Sequence, residues 1–188
     1  MIELLDLPFK NSRNYIHGSS LFEAVVGDVE NADLLLVKFL KPLRHQPLLT
    51  DESPKNIESM VAEFRWTIAD QAFTRWVLDS GYPVLQRDKI DERAHINDAT
   101  ILAGSVWQEE KQNLSFINRL IGLNKLLLES EFGFRDFWFV KLDLTNYVRD
   151  RDFLRIITGK NIGESVFDTV LLNRDDEKIG QIRFVRRS

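Results

Sequence analysis

Ser115-Phe116-Ile117-Asn118-Arg119-Leu120-Ile121-Gly122-Leu123-Asn124-Lys125-Leu126-Leu127-Leu128-Glu129 carries the densest apolar pattern of the chain. Phe116, Ile117, Leu120, Ile121, Leu123, Leu127 and Leu128 recur at three- and four-residue spacing, which predicts a helix. Its apolar face is wide, so deep burial is expected. Asn113 stands ahead of it as a candidate N-cap, and Gly133 follows it. The flanks read as strands. Thr100–Trp107 precedes the helix. Asp136–Leu144, with Phe137, Trp138 and Phe139, follows it. Phe153–Ile157 is short and fits strand or helix. Glu164–Asn173 and Lys178–Arg187 read as a hairpin around Arg174-Asp175-Asp176-Glu177. One buried helix among a run of strands is an α+β pattern.

The N-terminal part repeats this order. Ile2–Phe9 is a candidate strand, and Asn11-Ser12-Arg13-Asn14 supplies turn and cap formers. Tyr15–Val26 reads as a helix, since Leu21/Val25 and Phe22/Val26 lie four apart, with Gly27 as its stop. Leu34–Leu43 is nearly continuous in apolar residues and is expected to be buried on both faces. Thr50–Asn56 is a polar loop. Met60–Ala69 alternates and reads as a strand. Asp70-Gln71-Ala72 turns the chain into Phe73–Leu78. The charged stretch Asp88–Asp98 is the expected connector.

The two halves also match residue by residue. Val37-Lys38 answers Val140-Lys141, and Lys55-Asn56-Ile57-Glu58-Ser59 answers Lys160-Asn161-Ile162-Gly163-Glu164-Ser165 with one insertion. Asp70-Gln71 falls on Asp176-Glu177, Trp76 on Ile182 and Leu78 on Phe184. A period near half the chain implies a duplicated unit, with a first repeat at 1–80, a connector at 81–99 and a second repeat at 100–188.

Composition narrows the function classes. The 188 residues are 44% hydrophobic and 29% charged, with 13 Phe and 4 Trp, so the chain can build a core. Lys plus Arg number 25 against 29 Asp plus Glu, a charge of -4, which disfavours nucleic acid as a partner. The longest apolar runs are too short to span a bilayer, and the acidic start Met1-Ile2-Glu3-Leu4-Leu5-Asp6 is unlike a signal peptide. A cytoplasmic location is therefore expected. There is no cysteine, which excludes disulfides, thiolate metal sites and a Cys nucleophile. His17, His45 and His95 have no paired spacing, so no metal site is expected, and there is no Gly-rich phosphate loop, so no cofactor is expected either.

The strand, apolar helix and run of antiparallel strands, present twice, resemble the hotdog superfamily, whose curved antiparallel sheet wraps a central helix. Two units in tandem resemble a double hotdog. The resemblance implies binding or processing of acyl thioesters of coenzyme A or acyl carrier protein, in a thioesterase- or dehydratase-like manner. The alternative is a non-catalytic hotdog-like binding or interaction protein. A homodimer is compatible with either reading.

In the superfamily the thioester carbonyl meets a helix N-terminus, where free N–H groups stabilise developing negative charge. That directs attention to Asn14, Gly18 and Ser19 as substrate-binding residues, and to His17 as general base or acid. Glu23 and Asn118 complete the catalytic candidates. Asn14, Glu23, Asn118 and Asn124 can each position a water. Arg44, between Pro42 and Pro47 and beside His45, is the candidate for the phosphate of a carrier arm. The dehydratase pattern is incomplete, because no Pro follows His17 and the acids Glu129 and Glu131 fall late on the second helix. The second helix start has no His, so one active site and one degenerate copy are expected.

Overall fold

A computed structural model describes residues 1–109, 115–133, 136–149, 151–163 and 165–187. The central helix is where the spacing put it: α2 spans Phe116–Phe132, capped by Ser115, and ends at the left-handed Gly133 (φ 72°). The Asn113 cap lies outside the described residues. Ile117, Leu120, Leu123, Leu127 and Leu128 of α2 are fully buried. The N-terminal helix α1 spans Gly18–Val26, shorter than expected, and its N-cap is His17. The Asn11–Asn14 cluster is not its cap. Asn11 adopts φ 53° and turns its side chain to the connector, donating to Ile90 O and accepting from Ile90 N.

In the N-terminal half the strands are β1 (Ile2–Leu4), β2 (Phe9–Lys10), β3 (Asn31–Phe39), β4 (His45–Thr50), β5 (Met60–Ile68) and β6 (Gln71–Pro83). The connector contributes β7 (Arg87–Asp88) and a 3-10 turn at Arg93–Ile96. The second half adds β8 (Thr100–Leu102), β9 (Ser105–Gln108), β10 (Phe137–Val148), β11 (Leu154–Ile162), β12 (Val166–Leu172) and β13 (Lys178–Arg186). Several expected strands differ in extent. Ile2–Phe9 splits into β1 and β2. Thr100–Trp107 folds into a hairpin over Gly104 (φ 69°). Phe153–Ile157 is strand. The strand over the apolar run at 34–43 ends at Phe39 and is buried on one face there, through Leu35, Val37 and Phe39, while Leu34 is exposed. β4, which follows it, was not anticipated, because Pro47 breaks the pattern and sits where the register with β6 shifts.

Eleven strands form one sheet in the order β1-β4-β6-β5-β3-β10-β13-β12-β11-β9-β8, with antiparallel neighbours throughout. β2 and β7 pair in parallel apart from it. The halves join at β3 and β10, where Lys38 stands opposite Lys141 and Val37 opposite Leu142. Outward from this seam the second half runs β10-β13-β12-β11-β9, a meander after its first strand. The first half runs β3-β5-β6-β4-β1, so its last two strands exchange places. The 51–59 loop must therefore cross β6, and its 3-10 turn Ile57–Ser59 touches that strand. The sequence match of Trp76 with Ile182 joins strands that occupy different places in the sheet. No helix of the described residues is long and apolar enough to cross a membrane.

Next to the seam, β10 and β13 lie very close. A Cβ on Gly180 would stand 2.4 Å from Asp143 O and 2.6 Å from Leu144 Cδ2. Gly180→Ala is expected to destabilise by roughly 1–3 kcal/mol through this overpacking. Urea unfolding of the variant measures it, and an unchanged midpoint refutes so tight a contact.

Candidate functional site

A cavity of about 520 Å³ opens between α2, the start of α1 and the connector. α2 lines it with Asn118, Ile121, Gly122, Lys125 and Leu126. Lys10 and His17 form one wall, and Ile90, Glu92 and Ile96 of the connector close over it. Gly122 is inside a helix, where glycine costs about 0.5–1 kcal/mol relative to alanine, and at this wall it leaves space.

The connector is held over the cavity by the N-terminal segment. Phe9 N donates to Gln86 O (3.0 Å), Asn11 N to Asp88 O (2.8 Å), and Arg87 Nη1 to Arg13 O (2.7 Å). This places Glu92 among cations. It pairs with Arg13 and, at 3.4 Å, with Lys125, and Asn11 Nδ2 donates to it at 3.3 Å. Burial works to raise the Glu92 pKa, but the Arg13 hydrogen bond and the Lys125 and Arg13 charges outweigh it and lower it to about 2. Lys10 and Lys125 are lowered from the usual lysine value, chiefly by burial, against the pull of Glu92.

His17 is set by its own helix. Nδ1 accepts the Ser19 backbone N–H (3.4 Å) and lies 2.8 Å from Ser19 Oγ. Ser19 Oγ in turn accepts from Lys10 Nζ (3.0 Å). A backbone N–H can only donate, so this network assigns Nδ1 as the unprotonated nitrogen and puts the ring proton on Nε2. Burial, with Lys125, Lys10 and Arg13, holds the His17 pKa well below its usual value, and Glu92 opposes them without prevailing. The ring is thus neutral near pH 7 and offers a hydrogen-bond donor, whereas the sequence suggested a proton carrier. The Ser19 N–H, expected to meet a substrate carbonyl, is occupied by the ring.

Of the other candidates, Asn118 shares the cavity with His17 and donates through Nδ2 to Ser115 Oγ (2.7 Å). Gly18 packs against aromatic rings, since a Cβ there would lie 3.0 Å from Phe139 and 3.4 Å from Phe39. Glycine at this position serves the core. Glu23 does not line this cavity and acts at a distance, favouring the charge on Lys10. Asn14 and Arg44 line a second, separate hollow. Asn124 is buried, accepting from Thr169 Oγ1 (2.5 Å) with Nδ2 unpartnered. His45 begins β4 and pairs with Asp79 at 2.9 Å, and His95 falls within the Arg93–Ile96 turn. Lys10, Arg13, Glu92 and Lys125 were missed by sequence reasoning. Their only signal was charge: Glu92 in the expected connector, Lys10 and Arg13 around the first turn, and Lys125 within the expected second helix.

Acid should weaken this cluster. Glu92 has a folded pKa of about 2, below its ordinary 4.5, so its stabilisation is complete above about pH 4.5 and is lost as pH falls toward 2. His17, also depressed below 6.5, adds stability that is present above that value and declines as pH falls beneath it. Both terms have one sign. The urea midpoint is expected to fall below about pH 6.5 through His17 and again between about pH 4.5 and about pH 2 through Glu92, and Glu92→Gln should flatten the lower of these falls. An equally steep profile in the variant argues against the cluster as its source.

No protein-family model matches the sequence, and no curated protein matches it. Solved structures do match in shape. A conserved protein of unknown function with a hot dog fold from Alicyclobacillus acidocaldarius is 7% identical, with 100% of this chain and 92% of that one covered and a TM-score of 0.49. A bifunctional dehydratase-cyclase domain of ambruticin biosynthesis is 14% identical over 97% and 86%, TM-score 0.47. The tesB protein of Mycobacterium avium subs paratuberculosis is 11% identical over 97% and 91%, TM-score 0.44. At these identities no site residue transfers.

Proposed function

We propose that the chain is a tandem of two hotdog-like units that binds an acyl thioester, of coenzyme A or an acyl carrier protein, in the cavity between α1 and α2. Support for the tandem comes from the seam, where Lys38 and Lys141, equivalent in the repeat, face each other as a two-fold relation requires. The observation that carries the binding reading is the cavity itself: apolar on Ile90, Ile96, Ile121 and Leu126, with His17 and cations at its polar end. The neutral His17 ring donates to the thioester carbonyl, and Lys10 and Lys125 favour negative charge growing there. A neutral His17 that donates suits hydrolysis by water better than abstraction of an α-proton, and Glu129, which also lines the cavity, is a carboxylate that can orient that water, so the thioesterase-like reading stands ahead of the dehydratase-like one. The non-catalytic reading draws on a specific observation too: Glu92, one of two carboxylates that line the cavity, is tied up in ion pairs with Arg13 and Lys125.

The test is thiol release from acetyl-, hexanoyl- and decanoyl-CoA, alongside calorimetric binding of the same compounds. Loss of a carbonyl donor costs about 10²–10³ in rate, so His17→Ala should lower turnover by that factor while folding normally. Gly122→Leu, which fills the cavity and improves helix propensity, should abolish binding. Binding without turnover establishes the non-catalytic reading, and no binding at all rejects the thioester.

A further inference from the structure

The second hollow, about 260 Å³, collects three arginines in an acidic protein. Arg44 comes from the loop between β3 and β4, Arg186 from the end of β13, and Arg187 from just beyond it. Asn14 adds an amide, and Tyr15 and Trp138 add aromatic surface. None of the lining residues is acidic, and Arg44 and Arg187 have no carboxylate partner among the described residues. Arg187 is steered by its backbone N–H to Asp136 O (2.9 Å) and by the Tyr15 ring, 5.2 Å from its guanidinium. The Arg44 and Arg187 guanidinium groups line one hollow with no carboxylate among its lining residues, and an anion between them relieves their mutual repulsion. Their forked donors match phosphate oxygens in pairs.

We propose that this hollow binds the phosphoryl group of an organic phosphate monoester, with the organic part against Trp138. The hollow is small and lies on a net acidic chain, which does not suit the extended backbone of a nucleic acid. The site shares no lining residue with the acyl cavity and does not depend on the thioester reading.

Calorimetric titration with AMP, glycerol 3-phosphate, inorganic phosphate and adenosine tests it. The phosphate compounds are expected to bind and adenosine to fail. Arg44→Ala and Arg187→Ala should each weaken AMP binding by about 10-fold or more, the loss of one charge-assisted contact. Arg44→Lys should lose less than Arg44→Ala, and unfolding midpoints confirm that the variants fold. Gly122→Leu should leave AMP binding intact. The proposal is overturned if no phosphate compound binds at about 1 mM, if adenosine binds as well as AMP, or if both alanine variants bind as the parent does. A loss of AMP binding in Gly122→Leu likewise overturns it, because the ligand would then occupy the acyl cavity.

Discussion

Arg119→Ala is expected to cost roughly 3–5 kcal/mol, because each buried polar group left without its partner costs about 1–3 kcal/mol. Arg119 is 2% exposed on α2. Its Nε donates to Gln108 Oε1 (2.9 Å), Nη1 to Arg151 O (2.8 Å) and Nη2 to Asp152 O (3.1 Å). One guanidinium thereby ties α2 to β9 and to the turn between β10 and β11. Alanine removes all three bonds, the one to Gln108 buried and the two to the turn partly so, and opens a void. Lysine offers a single head group and cannot reach three acceptors in different directions, so Arg119→Lys should recover only part of the loss. For a chain of this size the alanine variant should melt roughly 6–20 °C lower. A change within about 0.5 kcal/mol, the range of an ordinary surface substitution, would show that these bonds do not hold the turn.

Leu120→Ala and Leu127→Ala come next, each expected to cost roughly 2–5 kcal/mol. Both leucines are fully buried, two turns apart on one face of α2. The surrounding side chains, Phe22, Ile117 and Leu123 among them, are themselves buried and can close only part of the space a leucine leaves. Chemical unfolding of each variant gives the number. A small loss at both positions would mean that the sheet collapses onto the vacated volume, and the helix would then not be the organising element of the core.

These two expectations rest on sequence to different degrees. The leucine stripe is legible in the chain, since apolar side chains three and four apart must share a helical face. Arg119 is not. Arginine in a helix ordinarily faces water, and nothing near it in sequence announces that Gln108 and two carbonyls beyond β10 converge on it. The site divides in the same way. His17 beside a glycine and two serines marks a helix start, and the structure makes it the cap. Its tautomer follows from the Ser19 and Lys10 contacts, which spacing does not specify. Gly18 looked like room for a substrate and proves to be room for Phe139 and Phe39.

By itself the sequence determined the two helices and their strand-rich surroundings, because periodicity records which side of a local element must leave water. The tertiary structure alone decided the order of β5 and β6 in the sheet, since alternation gives a strand two faces but names neither neighbour. It also decided that the connector is the roof of a cavity. Glu92 reads as solvated among its neighbours in the chain. Only the long-range pairing of Phe9–Asn11 with Gln86–Ile90 carries it into reach of Arg13 and Lys125, where burial gives those charges a strength they would not have in water.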